Sequence, residues 1–181
     1  ERLMLESFSR YSEVHLWSYF DLNVDIKNVH VRDGREILPE EDVFLYPLTM
    51  DLPFGGGTHV GFSELFRYKV LYEKGGWYSD MDVTCLKPLS QFGEYFFRTH
   101  GRLPVVGNIM KCPAKSELML KCYEESKRTI NDTTTDWHLG MKILARFIFE
   151  LQLDKFILDD FCNVDILSVV KDLTRNNSQA P

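Results

Sequence analysis

Apolar positions recur along this chain at two spacings, and the switches between them mark out its elements. The opening ERLMLESFSRYS places Leu3, Leu5 and Phe8 on one side of a helix already under way at Glu1. EVHLWSYF (13–20) is β-prone through its aromatic and branched residues, and NVHVRD (28–33) is a second short strand that ends in an acid. Residues 37–57 carry Pro39, Pro47, Pro53 and three glycines, which predicts a loop with at most one helical turn. Phe62, Leu65, Phe66 and Val70 then repeat at helical spacing across 59–74, and Gly75 is a left-handed stop. In WYSDMDV (77–83) the pattern changes to strict alternation. It predicts Trp77, Ser79, Met81 and Val83 on one face and Tyr78, Asp80 and Asp82 on the other. Strands are expected at 94–97 and 104–110, and helices at 114–130 and 137–151, the second capped by Thr135 or Asp136. KFIL (155–158) and NVDILSVV (163–170) are terminal strand candidates. Helices alternating with strands predict an α/β domain with a mostly parallel sheet over residues 1–172, followed by a loose tail at 173–181.

Composition narrows the function classes more than the fold. A net charge of −6, with no basic run longer than two residues, excludes broad electrostatic binding to nucleic acid, so an anionic substrate needs local cations or a metal. Cys85, Cys112, Cys122 and Cys162 show no zinc or redox spacing and are expected to be reduced core residues. No apolar run approaches the ~20 residues of a membrane span, and the first residues do not form a signal peptide. Asn131-Asp132-Thr133 and Asn176-Asn177-Ser178 fit the short glycosylation pattern. Position 1 is not a methionine, which suggests a fragment or a trimmed chain.

The candidate chemistry centres on Asp80 and Asp82. In parallel α/β sheets ligands collect at the carboxyl ends of strands, where this pair is expected. Two carboxylates there offer hard oxygen ligands to Mg²⁺ or Mn²⁺; alternatively they are solvated, or paired with Arg67 or Lys69. Glu64 and Arg67 lie three apart and are neighbours on the preceding helix, as a binding pair or a surface ion pair.

The stretch SELFRYKVLYEKGGWYSDMDVTCLKP resembles the sugar-binding, DxD-containing region of a glycosyltransferase family. That family holds yeast-type initiating mannosyltransferases and many bacterial polysaccharide transferases, with the clostridial glucosylating toxins as distant relatives. The resemblance rests on Ser63, Glu64, Arg67, Tyr68, Gly75, Gly76, Tyr78, Asp80, Asp82, Lys87 and Pro88. Weaker likeness extends to LWSYFDL, VRDGREILP and NIMKCPAKSELM.

The resemblance implies a GT-A fold, a nucleotide-binding sandwich with a mostly parallel central sheet. Relatives begin with a further strand and an aromatic loop that contacts the nucleotide base, so the first strand is expected to be missing here. It also implies metal-dependent transfer of a sugar from a UDP- or GDP-sugar to a glycan, lipid-linked or protein hydroxyl, with retention of configuration. Asp80 and Asp82 would hold Mn²⁺ or Mg²⁺ and contact the donor, and Arg67, Glu64 and Tyr78 would bind the donor. Asp33 would lie near the base or act as a turn aspartate; Asn108 would reach donor or acceptor or hold a loop. His138 would add a metal or phosphate ligand or serve a structural role. The family usually carries aspartate where Glu64 stands, and a Gly-Pro pair where this chain has Trp137, His138 and Gly140.

Two rival readings stay open. DMDVT also fits the DxDx(T/V) signature of haloacid-dehalogenase-type phosphatases, with Asp80 as nucleophile, Asp82 as acid/base, and Asp159 and Asp160 as the late acids. That reading leaves the pattern from Ser63 to Gly76 unexplained. The other is a transferase-like domain that binds without catalysis. The absence of an anchor favours a cytoplasmic location, with the membrane surface or a secretory lumen left open.

Overall fold

The computed structural model describes residues 1–48, 56–100 and 103–159. The strand expected at 163–170, the tail at 173–181, Asp160, Cys162, the second glycosylation pattern and residues 49–55 of the long loop lie outside them.

The first helix, α1 (Arg2–Phe8), buries Met4, Leu5 and Phe8. Leu3 is not on that side; it is 63% exposed, because the face that packs runs through Met4 and Phe8 instead. Strands β1 (Val14–Ser18) and β2 (Val29–Asp33) pair in parallel, Leu16 opposite Val31. The loop after them contains short 3₁₀ turns at Gly34–Glu36 and Glu40–Asp42. Helix α2 (Val60–Lys74) ends where expected, with the Gly75 amide donating to the Leu71 carbonyl at 2.8 Å. Gly75 has φ +67, and a Cβ there would stand 2.3 Å from the Ala114 nitrogen, so both conformation and space require glycine.

The remaining elements are β3 (Gly76–Ser79), β4 (Phe96–His100), β5 (Leu103–Cys112), α3 (Glu117–Thr129), α4 (Leu139–Glu150) and β6 (Ile157–Leu158). Ser116 caps α3, and Asp136 accepts the His138 amide ahead of α4.

The larger described sheet corrects the expectation of a mostly parallel one. Its order is β3-β5-β4-β6; both pairings of β5 are antiparallel, and only β4 with β6 is parallel. The reason is connectivity: only residues 101–102 separate β4 from β5, and a link that short joins antiparallel neighbours.

Adjacent residues on each strand enter opposite cores. Trp17, Tyr78, Phe97 and Met110 face a cluster built with Tyr68 and Leu71 of α2, Leu118 and Met119 of α3, and Leu144 and Ile148 of α4. Leu16, Trp77, Phe96 and Ile109 face a second cluster with Met4, Leu5 and Phe8 of α1. Both sheets therefore lie between the same two helical layers. β1 and β3 also run the same way past α2. Trp17 packs near Lys74 and Phe66, while Tyr19 packs near Phe66 and Phe62, so that chain descends the helix. β3 reverses at Gly75 and brings Tyr78 under Arg67.

Cys85, Cys112 and Cys122 are buried and unpaired in disulfides, as expected of core thiols. Burial pushes the Cys112 and Cys122 thiols well up, which keeps them protonated and inert. Among the described residues no helix is long and apolar enough to cross a membrane.

Candidate functional site

One face of α2 is unusual in burying two charges. Glu64 and Arg67 are one turn apart, and Arg67 Nη1 donates to Glu64 Oε2 at 2.8 Å. The other arm of the guanidinium, Nη2, reaches Asp80 Oδ1 at 3.1 Å, and the Tyr78 hydroxyl donates to the same oxygen at 2.9 Å. The guanidinium carbon lies 4.8 Å from the Tyr78 ring centroid. These four side chains form one connected array running from the helix to the strand end. Arg67 and Glu64 are almost completely enclosed, whereas the Asp80 side chain is 32% exposed, so the array opens to solvent at Asp80.

The electrostatics follow from that enclosure. Burial opposes the Arg67 charge, but Glu64, then Tyr78 and Asp80, outweigh it and hold the guanidinium well above its ordinary value. Burial pushes the Tyr78 phenol up to about 12, with Arg67 pulling the other way, so its hydroxyl stays a neutral donor to Asp80 at any working pH. Arg67 Nε is buried without a hydrogen-bond partner among the described residues.

Tyr19 and Tyr46 are likewise raised to about 12, chiefly by burial. A phenol raised in the folded state contributes stability that is full below the unfolded value of about 10. That contribution is lost as pH climbs to about 12, because only the unfolded chain has released its protons. The melting temperature is therefore expected to fall across this window, with phenolate absorbance rising together with unfolding. A phenolate signal from these tyrosines that precedes unfolding would show that they are not enclosed.

The expected alternation reaches Asp80 and stops before Asp82. β3 ends at Ser79; the Asp80 amide then donates to the Asn108 carbonyl at 2.7 Å, and Asp80 to Val83 form a turn. Tyr78 and Asp80 do share a side. Asp82 does not continue it: it is exposed on the turn, and its carboxylate has no hydrogen-bond or ion-pair partner among the described residues. Of the two cations weighed as partners for the acids, Arg67 pairs with Asp80, while Lys69 pairs with Glu73 at 2.7 Å.

The other candidate residues are dispersed. Asn108 adjoins Asp80 through its backbone, and its side-chain oxygen accepts from Arg98 Nε at 2.9 Å. Asp33 ends β2 and accepts from the Arg35 amide at 2.9 Å, which draws its carboxyl below the usual range. His138 is exposed at the start of α4. Two glycines missed as walls of the array complete it: a Cβ at Gly107 would stand 2.5 Å from Arg67 Nη1, and one at Gly140 would stand 2.7 Å from Glu64 Cγ. Buried Arg98 was missed as well, since arginine ordinarily lies at the surface.

Residues 58–97 match the family model described as a glycosyltransferase sugar-binding region containing the DXD motif. No curated protein and no solved structure matches the chain. The matched stretch runs from the approach to α2 into β4, so it contains Glu64, Arg67, Tyr78, Asp80 and Asp82 together. The motif itself falls on Asp80-Met81-Asp82. A sugar-binding region of this kind supports a glycosyltransferase-like function, with a sugar donor and an acceptor as its partners.

Among the described residues no three His, Cys, Asp or Glu side chains converge into a metal cage. The donor set nevertheless fits a hard divalent ion. Mg²⁺ and similar ions are commonly held by one or two carboxylates, the remaining positions going to water and substrate phosphates. Asp80, partly exposed, and Asp82, exposed on the turn, are carboxylates of the kind that could supply those one or two ligands.

Proposed function

We propose that this protein is a glycosyltransferase that moves a sugar from a UDP- or GDP-sugar to a hydroxyl of a glycan, lipid-linked or protein acceptor. Its fold is read as the GT-A sandwich, one domain over 1–172, with retention of configuration. The observation that carries the proposal is the connected Glu64–Arg67–Asp80–Tyr78 array inside the matched region. The fold reading is supported by β1 and β3, which run in one direction between the same helical layers and have unpaired outer edges among the described residues.

Sugar transfer builds positive character at the anomeric carbon and negative charge on the departing diphosphate. A Mn²⁺ or Mg²⁺ ion held by Asp80 and Asp82 would supply charge neutralisation for that diphosphate. The protein's own contribution is orientation. Arg67 and the neutral Tyr78 hydroxyl fix Asp80 Oδ1, which leaves its second oxygen directed by a rigid frame. Glu64 engages Arg67 through Oε2 and is almost completely enclosed, and it is read as the acceptor for a hydroxyl of a sugar that enters beside Asp80. Asn108 and Asp33 are read as donor contacts, and His138 as a further metal or phosphate ligand.

The test is turnover. The protein is incubated with a panel of UDP- and GDP-sugars and Mn²⁺, and nucleoside diphosphate release is followed by chromatography. At least one donor is expected to be cleaved, with loss of activity in chelator. Phosphate release from simple phosphomonoesters with no cleavage of any nucleotide sugar would replace this reading with a phosphatase. Metal-dependent binding without turnover would make the domain a binding module.

A further inference from the structure

We infer that Gly140 on α4 is a positioning residue for the sugar-reading carboxylate of Glu64, the size of residue 140 being matched to the side chain at 64. This rests on the transferase reading above. A Cβ at Gly140 would meet Glu64 Cγ at 2.7 Å, Cδ at 2.8 Å and Oε2 at 2.9 Å, all inside the 3.0 Å that real Cβ atoms respect. Three consecutive atoms are blocked, beginning close to the helix backbone, so rotation of the carboxylate alone does not relieve the contact.

Nor is α4 free to step back. The Gly140 carbonyl accepts the hydroxyl of Tyr68 at 2.9 Å, and Tyr68 is fully buried one turn beyond Glu64 on the same face of α2. The two helices are therefore tied at this height, and the accommodation expected is a shift of the Glu64 side chain, which carries the bond to Arg67 Nη1. Gly140 is the second residue of α4 and its backbone is not left-handed, so its place here is explained by the side chain opposite rather than by helix formation. The three atoms nearest a Cβ at Gly140 all belong to Glu64, so Gly140 acts on the donor through Glu64.

The consequence is selective. Gly140→Ala is expected to displace the group that reads the sugar and to leave the nucleotide and metal contacts in place. With the UDP- or GDP-sugar that the unaltered protein binds most tightly, calorimetry should show affinity reduced at least about tenfold in Gly140→Ala, a loss of about 1.4 kcal/mol. Affinity for the matching nucleoside diphosphate should stay within about twofold. Equal weakening of both ligands, or of neither, overturns the inference. Thermal melting supplies an independent arm: Gly140→Ala should lower the melting temperature beside Glu64, yet leave it unchanged or raise it in a Glu64→Ala background, where the blocked atoms are gone. If Gly140→Ala alone does not fold, the Glu64→Ala/Gly140→Ala pair must fold; failure of both overturns the match. Should the unaltered protein bind no nucleotide sugar, the transferase reading falls, while the melting comparison still decides whether residues 64 and 140 are matched.

Discussion

Asp82→Asn, and still more the Asp80→Asn/Asp82→Asn pair, is expected to lower metal-dependent turnover by about 10³-fold while the protein stays folded. A divalent ion contributes several kcal/mol of charge stabilisation, and ~4 kcal/mol corresponds to roughly that factor. The asparagine pair is chosen because it separates charge from shape. At position 80 the amide oxygen still accepts from the Tyr78 hydroxyl and Arg67 Nη2, and Glu64 still pairs with Arg67, so the array survives without one charge. At position 82 the side chain is exposed on a turn, where substitutions usually change stability by less than about 0.5 kcal/mol. Turnover that persists in the folded double variant would remove both acids from the chemistry.

Arg67→Met is expected to have the largest effect on stability. It leaves Glu64 enclosed and without its cation, and breaking a buried pair in this way costs about 3–5 kcal/mol, against the small net worth of the intact pair. For a domain of this size, ~3–5 kcal/mol corresponds to a melting temperature lower by about 6–20 °C. Tyr78 also loses the cation over its ring, and Asp80 Oδ1 loses one of its two donors. Arg67→Lys is expected to fall between, since one ammonium does not span both carboxylates as the two arms of the guanidinium do. Melting curves for the two variants, read beside a Glu64→Gln/Arg67→Met pair, decide whether the cost is an orphaned charge. If the pair is no more stable than Arg67→Met alone, it is not.

How far the site was legible differs residue by residue. Helix α2 and its end could be read because apolar spacing and Gly75 are local signals, and the Glu64–Arg67 spacing placed both on one face. The sharing of Asp80 with Tyr78 followed from strand alternation. That same reasoning carried the alternation too far for Asp82, since nothing local announces that the chain turns after Asp80, whose amide still bonds in register with the Asn108 carbonyl of β5. The polarity of the larger sheet was misread because pairing partners distant in sequence leave no mark on a strand's own periodicity. The sequence around Gly140 carries no sign of its contact with Glu64, which joins two helices far apart in the chain. Leu3 was assigned to the wrong face because a two-turn helix fits more than one apolar stripe.

Calorimetric titration of nucleotide sugars into the protein, with saturating Mn²⁺ and again with chelator, tests the central assignment most directly. Binding of at least one UDP- or GDP-sugar is expected with Mn²⁺, weakened about 100-fold or more by chelator and equally by Asp80→Asn/Asp82→Asn at an unchanged fold. Binding of no nucleotide sugar, or binding of equal strength with and without metal, would contradict the assignment of Asp80 and Asp82 to a metal and donor site.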